Sequence, residues 1–255
     1  MLIIASDYST FADAIAAAYA TKYVTGSAIY LPGKETPYDG DGLTLPANTQ
    51  LTGDGSISQI SGRMTIGSAA GQQQITGVSF LDGCDVYAAR NTMFQCCDFQ
   101  GTVKFTEPSY YNTFHTCRWR NLGTNPAIEV IGLANFNRLH GCRINHEGIA
   151  VKFTPDPTSG AVADGWGFQS TSFEGAGAED AVLGSALDLQ GRWHHVSNCW
   201  FERGADRTYG SPTIKLRENT KFCVIDANVM GYLVTVEDKG QNNDIRGYFE
   251  TRRAD

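Results

Sequence analysis

Apolar residues recur along this chain in a fixed pattern: an apolar residue, two variable residues, a small residue, a variable residue and a second apolar residue. We number the first apolar residue i, so the small residue is i+3 and the second apolar residue is i+5. The pattern occurs seven times, as Ile75–Val78–Phe80, Phe94–Cys97–Phe99, Phe114–Cys117–Trp119, Leu139–Cys142–Ile144, Phe168–Thr171–Phe173, Val196–Cys199–Phe201 and Val224–Ala227–Val229. Weaker copies start at Leu51 and Ile245, and successive copies are 19 to 29 residues apart.

A second pattern, four residues of alternating apolar and polar character, follows most copies of the first. It reads TVKF at Thr102, AIEV at Ala127, AVKF at Ala150, ALDL at Ala186, TIKL at Thr213 and LVTV at Leu233. Alternation with a period of two is typical of a β-strand with one buried face. Each repeat therefore contains two or more short strands, joined by loops of variable length.

Repeats of this length, with several strands and almost no helix, predict an all-β fold, a single-stranded right-handed parallel β-helix. In such a solenoid each strand stacks on the equivalent strand of the next coil at about 4.8 Å. Loops of different length extend outward without disturbing the stack. A leucine-rich repeat is the main alternative, but its leucine and asparagine spacing is absent. A β-sandwich would not place cysteine at one pattern position four times.

Positions i+3 and i+5 are predicted to point into the core. Cys97, Cys117, Cys142 and Cys199 then form a ladder inside the solenoid, where a small side chain tolerates burial. The chain has seven cysteines, an odd number, and no C-x-x-C pair, which argues against a disulfide scaffold or a zinc ribbon. We expect most cysteines to be small buried residues, and we expect no metal and no other cofactor.

One segment, residues 10–23, predicts a helix, with Ser9 as its N-cap. The predicted apolar stripe of this helix consists of Phe11, Ile15, Ala18 and Tyr19. A β-helix has an open end, and an amphipathic helix can cover the unpaired strand edge and apolar interior there. We therefore divide the chain into residues 1–50, a capping helix with the first strands, and residues 51–255, one continuous domain of β-helix coils.

Composition narrows the classes of function. Hydrophobic residues make up 42% of the 255 residues and glycine occurs 28 times, which predicts a packed core with many turns. The formal charge of −7 disfavours a non-specific nucleic-acid binder, which needs a basic surface. No apolar run predicts a membrane span, and the opening MLIIAS is too short and uncharged for a signal peptide. We expect a protein made in a reducing cytosol without export through a signal peptide.

The segments GSAIYLPG and GLTLPANTQLTGDG follow the predicted helix. A helix, an IYLPxG-like strand and an LTLPxNxxLxGxG segment resemble the opening of the pectate-lyase superfamily of right-handed parallel β-helices. The resemblance is strongest to the versions in bacteriophage tailspike and capsule-depolymerase proteins. The matching residues are 28–32 and 43–46, with Asn48, Leu51, Gly53 and Gly55. The rest of the chain agrees in periodicity rather than in a catalytic signature.

This resemblance implies a phage tailspike- or fibre-like virion protein, made in the host cytoplasm, that binds host cell-surface polysaccharide. It also implies a homotrimer in contact with other virion proteins, and no nucleic-acid or membrane partner is expected. Two other functions stay open. One is a glycoside hydrolase or polysaccharide lyase acting on capsule or O-antigen, and the other is a purely structural capsid or tail decoration.

If positions i+3 and i+5 point inward, positions i+4 and i+6 point outward. Position i+4 reads Ser79, Asp98, Arg118, Arg143, Ser172, Trp200 and Asn228. Position i+6 reads Leu81, Gln100, Arg120, Asn145, Glu174, Glu202 and Met230. Such a face suits an extended sugar polymer, because aromatic rings contact sugar rings and arginine pairs with carboxylates. We predict Trp200, Arg118, Arg143 and Arg120 as substrate-binding residues; alternatively, a loop or a neighbouring subunit covers Trp200.

Glu174 and Glu202 occupy position i+6 in consecutive coils and are the predicted catalytic residues. Stacking would bring their backbones to about 4.8 Å, and two carboxyl groups about 5 Å apart are typical of a retaining glycosidase. The alternative is a solvated carboxylate pair, splayed apart or bridged by Arg203 or Arg143.

Other candidates carry weaker signals. Arg118 and Arg143 could neutralise a uronate in a lyase, but no aspartate cluster accompanies them. His115 and His140 share position i+1, where a hydrogen bond at a corner is the simpler explanation than a metal pair. Residues 193–195, a tryptophan and two histidines, could line a groove. The long loops 154–165, 175–185 and 204–212 fall in the widest coils, near Trp200, and are predicted to form the binding edge.

Overall fold

A computed structural model describes residues 1–21, 26–67, 72–106, 108–120, 122–175, 182–202, 208–209, 212–226, 228–230 and 235–246. Their strands form a solenoid in which a typical coil contributes one strand to each of three sheets, in the order sheet A, sheet B, sheet C. Neighbouring strands in each sheet pair in parallel. The predicted parallel β-helix is confirmed.

The three sheets run the length of the described solenoid. Sheet A contains Leu2–Ile4, Ser27–Leu31, Thr49–Gly53, Gln74–Thr76, Met93–Gln95, Thr113–His115, Arg138–His140, Gly167–Gln169, His195–Ser197, Val224–Asp226 and Asp244–Arg246. Sheet B contains Tyr38–Asp39, Gln59–Ser61, Ser79–Phe80, Asp98–Phe99, Arg118–Trp119, Arg143–His146, Ser172–Gly175, Trp200–Glu202 and Val229–Met230. Sheet C contains Thr44–Leu45, Met64–Ile66, Cys84–Val86, Val103–Phe105, Ile128–Ile131, Val151–Thr154, Leu187–Leu189, Ile214–Leu216 and Val236–Asp238.

The remaining regular elements lie outside these sheets. They are the α-helix Phe11–Thr21, the 3-10 helices Ala5–Asp7 and Gly55–Ile57, and the strand pair Val182–Leu183 and Thr208–Tyr209. Among the described residues, no helix has both the length and the apolar character needed to cross a bilayer.

The repeated pattern describes the passage from sheet A to sheet B. Position i lies in the middle of a sheet A strand, and position i+5 lies in the sheet B strand that follows. Position i+2 turns the chain between them in the left-handed backbone region, at Cys96, Thr116, Gly141, Ser170 and Asn198, with φ from 50° to 62°. A single left-handed residue changes the strand direction sharply, which keeps the corner short and its spacing constant.

The predicted cysteine ladder is confirmed, because Cys97, Cys117, Cys142 and Cys199 are at most 2% exposed. Each thiol donates a hydrogen bond to the carbonyl of position i in the preceding coil. For example, the Sγ of Cys117 lies 3.4 Å from the carbonyl oxygen of Phe94, and the Sγ of Cys199 lies 3.4 Å from that of Phe168. Burial raises the pKa of Cys199 to about 12, so this thiol keeps its proton. Cysteine thus fills a tight corner and also satisfies a buried carbonyl group.

Aromatic side chains at equivalent positions stack along the core. The rings of Phe94 and Phe114 lie 4.5 Å apart and nearly parallel, and those of Phe173 and Phe201 lie 5.0 Å apart. These distances follow the strand spacing, because in-register strands place identical positions directly above one another. The interior is therefore a set of continuous side-chain columns.

The last copy of the pattern is displaced by one residue from the predicted register. Val196 pairs with Ile225 rather than with Val224, so Asn228 takes position i+3. The prediction that Asn228 points outward is wrong: it is 3% exposed, and its Nδ2 donates to the carbonyl of Val196 at 3.1 Å. Asn228 therefore donates a hydrogen bond to the carbonyl of position i in the preceding coil, as the cysteine thiols do. The prediction was wrong because a buried asparagine cannot be told from a surface asparagine by its polarity. Ala227 lies outside the described residues.

The strand predicted at LVTV is also displaced, by two residues. Sheet C continues with Val236–Asp238, whose Val236 pairs with Ile214. Ser79, which was predicted to point outward, is buried. Its strand contacts the 3-10 helix Gly55–Ile57.

The N-terminal helix packs on the first strands, as predicted, but its start differs by one residue. Thr10, not Ser9, is the N-cap: its Oγ1 accepts a hydrogen bond from the Asp13 backbone at 3.1 Å, and the Asp13 carboxylate accepts one from the Thr10 backbone at 3.0 Å. This reciprocal arrangement satisfies two backbone donors at the helix start. Of the predicted stripe, Tyr19 is 37% exposed while the others are buried. The predicted end, at residue 23, lies outside the described residues.

Candidate functional site

The predicted site residues all lie on the outer face of sheet B. Arg118 is paired in register with Arg143, and Glu174 is paired in register with Glu202. Trp200 lies beside Ser172 in the same pair of strands. The pattern therefore brings these side chains onto one surface.

Two of the three predicted arginines are bound to carboxylates of the chain itself. The Nε of Arg120 donates to Asp98 Oδ2 at 2.8 Å, and the Nε of Arg143 donates to Glu174 Oε2 at 2.8 Å. The backbone N–H of Arg118 donates to the carbonyl of Cys97 at 2.9 Å, but its side chain makes no hydrogen bond or ion pair with any described residue. Arg203, the other predicted bridging residue, lies outside the described part of the chain.

The predicted catalytic residues have different surroundings. Ser172 donates to Glu174 Oε1 at 2.6 Å while Arg143 contacts Oε2, so both carboxylate oxygens of Glu174 are engaged. Glu202 is exposed and accepts a hydrogen bond from Trp200 Nε1 at 3.0 Å. Trp200 is 45% exposed, so its ring is accessible in the single chain. The assignment of Glu174 and Glu202 as catalytic residues stays a prediction.

A groove lies on a different surface, the outer face of sheet A. Its larger part is a cavity of about 740 Å³ that crosses four strands, from Thr113–His115 to His195–Ser197. Its floor consists of the outward side chains on either side of position i, among them Arg138, His140 and Gln169.

A second cavity of about 510 Å³ continues along the same face toward the N-terminus. It is lined mainly by amide side chains, including Gln50, Gln72, Gln74 and Asn91, and it shares Thr113 with the larger cavity. Sheet A therefore carries a groove with an amide-rich part and an aromatic, basic part.

Exposed aromatic side chains occupy position i−3 along one edge of this groove, where Tyr111 lines the smaller cavity and Phe136 and Trp193 line the larger one. Phe222 continues the row in the next coil, outside both cavities. Tyr111, Phe136, Trp193 and Phe222 are 58%, 39%, 50% and 48% exposed, respectively. All four are in the left-handed backbone region, with φ from 57° to 60°. The same position in other coils holds Asn48, Asn91, Gly165 and Asn242, which also have positive φ. Asparagine and glycine are the usual residues in this conformation, whereas bulky aromatic residues are rare there.

The gap in this aromatic row is occupied by Gly165, and the structure explains why. A Cβ atom at Gly165 would lie 2.4 Å from a ring carbon of Phe136, and its φ is +70°. The Phe136 ring lies over this glycine and stacks on Tyr111, with ring centroids 5.5 Å apart and planes 11° apart. Gly165 thus makes room for the ring of the preceding coil.

Trp193 is held by a buried acid. The Arg192 guanidinium lies 4.5 Å from the centre of the Trp193 ring, and its Nη2 contacts Asp164 Oδ2 at 2.7 Å. Asp164 is 8% exposed and also accepts a hydrogen bond from the Arg192 backbone at 2.7 Å. The acid positions the arginine, and the arginine supports one face of the ring.

The prediction that residues 193–195 line a groove is correct for two of the three. Trp193 and His195 line the cavity, whereas His194 points inward and is 1% exposed. His194 Nδ1 accepts a hydrogen bond from the Trp166 backbone at 3.2 Å, and its Nε2 lies 2.7 Å from the carbonyl of Gln190. These partners assign a neutral imidazole protonated on Nε2, and burial lowers the pKa of His194 to about 4.

Of the other groove histidines, His140 and His195 are exposed and His115 is half-buried. The His115 and His140 rings stack with centroids 5.1 Å apart, and Thr116 Oγ1 at the corner lies 3.4 Å from His115 Nδ1. His195 Nε2 lies 3.3 Å from Asp226 Oδ1. Within the described ranges, no group of three or more His, Cys, Asp or Glu side chains is placed to hold a metal ion.

Apart from residues 193–195, sequence reasoning missed this groove, because it treated only positions i+4 and i+6 as outward-facing. The aromatic residues at i−3 form a periodic signal of the same kind and could have been found by reading that position in each copy. Of the predicted loops, 154–165 leads into sheet A beside Phe136 rather than toward Trp200. The loops 175–185 and 204–212 lie largely outside the described residues.

Similarity to known proteins is found at the level of structure and not of sequence. No protein-family model matches the sequence, and no curated protein sequence matches it. Among solved structures, the chain is similar to ORF18 of Geobacillus virus E2, with 12% identity and a TM-score of 0.58, over 96% of this chain and 60% of that one. It is also similar to PfbA, a surface adhesin of Streptococcus pneumoniae, with 12% identity and a TM-score of 0.60, over 97% of this chain and 92% of that one. At such low identity these similarities support the parallel β-helix fold.

Proposed function

We propose that this protein binds an extended polysaccharide along the groove on sheet A. The observation that carries this proposal is the row of exposed aromatic residues at position i−3. A left-handed backbone costs a non-glycine residue about 1–2 kcal/mol. Bulky residues in that conformation, at the edge of a groove, are typical of functional sites rather than of ordinary corners.

The dimensions of the groove support a polymeric ligand. Strands of adjacent coils are about 4.8 Å apart, so the four coil steps from Tyr111 to Phe222 span roughly 19 Å. Aromatic rings provide flat apolar surfaces for sugar rings, and the neighbouring amide and imidazole groups can bind hydroxyls. A cavity of about 740 Å³ also lies within the usual range for ligand sites.

We further propose that the chain acts as a homotrimer in a phage tailspike or fibre and binds host cell-surface polysaccharide. Its support is the resemblance of the N-terminal segment to phage β-helix proteins. One structural neighbour is a viral protein and another is a surface adhesin, which agrees with this role. Light scattering of the purified chain tests the trimer: a monomer at micromolar concentration would contradict it.

A second candidate function, polysaccharide cleavage on sheet B, is favoured by the in-register pair of Glu174 and Glu202. A retaining glycosidase would place these two carboxyl groups on either side of the scissile bond. Release of reducing ends from purified capsule or O-antigen, lost in both Glu174→Gln and Glu202→Gln, would assign this activity. Cleavage that persists in both variants would remove the pair from consideration.

Two tryptophans allow the two faces to be compared directly. Trp193 on sheet A and Trp200 on sheet B are 50% and 45% exposed, so they are matched in type and exposure. On an array of purified bacterial polysaccharides, we expect Trp193→Ala to weaken binding by about tenfold or more, while Trp200→Ala leaves it unchanged. The reverse result would move the binding site to sheet B. No binding to any polysaccharide by the unmodified chain would favour the structural role in a capsid or tail.

A further inference from the structure

The charges of the groove differ from those of the whole chain. The chain has a formal charge of −7, yet none of the described residues that line the larger cavity is an aspartate or a glutamate. Three of the five histidines and one arginine do line it: His115, His140, His195 and Arg138. The floor of the larger cavity therefore contains histidine and arginine side chains, although the chain as a whole is acidic.

Three residues in one row of sheet A form an opening in the floor. Arg138 pairs with Gly167, and Gly167 pairs with His195, so the glycine lies between the two basic side chains. Two strand spacings separate the Cα atoms of Arg138 and His195 by roughly 10 Å. The Cγ and Cδ atoms of Arg138 lie 3.4 and 4.0 Å from the position that a Cβ atom of residue 167 would take. Because Gly167 has no side chain, no atom of this residue fills the space between the Arg138 side chain and His195.

Packing does not require glycine at position 167. A Cβ atom there would lie 3.4 Å from Cγ of Arg138, which is at the limit of an ordinary contact, and its backbone is not left-handed. Gly165, by contrast, is required by both backbone and packing. The effect of Gly167 is therefore to leave room beside the Arg138 guanidinium.

Arg138 also differs from most other arginines of the described part of the chain. The guanidinium groups of Arg63, Arg120, Arg143, Arg192, Arg217 and Arg246 each contact a carboxylate. The Arg138 side chain makes no hydrogen bond or ion pair with the described residues, although it is exposed at the floor of a cavity. On the far side of the opening, Asp226 holds the His195 ring in place.

We infer that the opening above Gly167 is a subsite for a carboxylate-bearing sugar residue, which pairs with the guanidinium of Arg138. A planar guanidinium binds a carboxylate through two parallel hydrogen bonds, and His140 can donate a further one. The amide-rich cavity beyond Thr113 has no charged lining residue and takes neutral sugar residues of the same polymer. This inference rests on the proposed function and narrows the ligand to polysaccharides that contain both kinds of residue.

The experiment compares acidic polymers with their neutral derivatives. Hyaluronan and polygalacturonate, each in native and carboxyl-reduced form, are titrated against the full chain by calorimetry. We expect at least one native polymer to bind about tenfold more tightly than its reduced form. Arg138→Gln should remove that difference and Arg138→Lys should restore it in part, because lysine keeps the charge but loses the bidentate geometry.

Two further variants separate the subsite from general effects on charge or folding. Gly167→Ala fills the opening and should weaken binding of the acidic polymer with an unchanged melting temperature. Arg246→Gln removes an exposed arginine of sheet A that lines neither cavity, and it should change nothing.

Equal binding of native and reduced polymers, or native binding unaffected by Arg138→Gln, would overturn the subsite. If Trp193→Ala still abolished binding in that case, the proposed function would stand. Failure of both polymers to bind, while neutral polysaccharides on the array bind, would overturn the subsite alone. Failure of every polysaccharide to bind would overturn both proposals.

Discussion

The outer faces of sheet A and sheet C use the same strand spacing in opposite ways. On sheet C, the outward residues of successive coils alternate in charge: Asp85, Lys104, Glu129, Lys152, Asp188, Lys215 and Glu237. Each charge thus faces opposite charges on the neighbouring strands, as between Lys104 and Glu129 at 3.4 Å. On sheet A, the corresponding row contains Thr113, Arg138, Gly167 and His195, which do not alternate.

This difference distinguishes a face that stabilises the solenoid from one that is available to a ligand. Opposite charges directly across neighbouring strands stabilise a sheet, and like charges destabilise it, so the sheet C ladder also favours the correct register. Sheet A leaves the Arg138 side chain without such a partner among the described residues, and it has strained aromatic residues along its edge. Substitutions on sheet C should therefore change stability, and substitutions on sheet A should change binding.

The largest effect is expected at Asp188 on sheet C. Its side chain is 4% exposed and accepts hydrogen bonds from Arg217 Nε and Nη2 at 2.6 and 2.5 Å. Asp188→Lys would bury an unpaired charge between Lys152 and Lys215 and should lower the free energy of unfolding by about 3 kcal/mol. Urea denaturation measures this change. The matched exposed variant Asp226→Lys, on sheet A, should cost far less; equal costs would contradict the distinction between the two faces.

The second effect concerns pH and the buried histidines. Burial lowers the pKa of both His194 and His146 to about 4 in the folded chain, from the ordinary histidine value of 6.5. Between these values the unfolded chain binds more protons, so stability is fully present above pH 6.5 and is lost as the pH falls toward 4. At pH 5 the loss should be on the order of 2 kcal/mol per histidine.

Chemical denaturation at pH 7 and pH 5 measures this loss. His194→Gln and His146→Gln should each reduce the pH dependence. A pH dependence that is the same in the two buried-site variants as in the unmodified chain would show that other groups cause it.

The third effect compares two glycines on sheet A. Gly165→Ala adds a side chain to a left-handed residue and pushes against the Phe136 ring, so it should cost about 1–2 kcal/mol in stability and displace that ring. Gly167→Ala should leave stability within about 0.5 kcal/mol, because the added methyl group meets no close backbone contact. Thermal unfolding of the two variants side by side checks this, and a larger loss for Gly167→Ala would contradict the geometry.

The smallest effect should be a gain in stability. Phe222→Asn and Tyr111→Asn place at position i−3 the residue that the chain itself uses at Asn91 and Asn242. Relief of the left-handed strain should raise the free energy of unfolding by about 0.5 kcal/mol, while polysaccharide binding falls. A loss of both stability and binding would mean that the aromatic residues are structural.

The periodicity of apolar residues predicted the core residues correctly but did not predict the groove on sheet A. Cys117, Trp119 and Phe114 were predictable as core residues because alternation in a strand decides which side a residue faces. Asn228 was mispredicted because its burial depends on a hydrogen bond to Val196, a residue of the preceding coil. Trp200 was correctly placed on a surface, but the pattern contained no information on which of three surfaces forms a groove.

The sequence by itself determined the repeating turn of the solenoid, because the spacing of apolar and small residues specifies which side chains pack inside and where strands begin. Only the tertiary structure decided that Arg138, Gly167 and His195, which are separated by 29 and 28 residues in the chain, form one opening. The physical reason is that burial is selected residue by residue through the hydrophobic effect, which leaves a local pattern. A binding groove depends on the conformation of corners and on register between coils, and these are set by contacts across the whole stack.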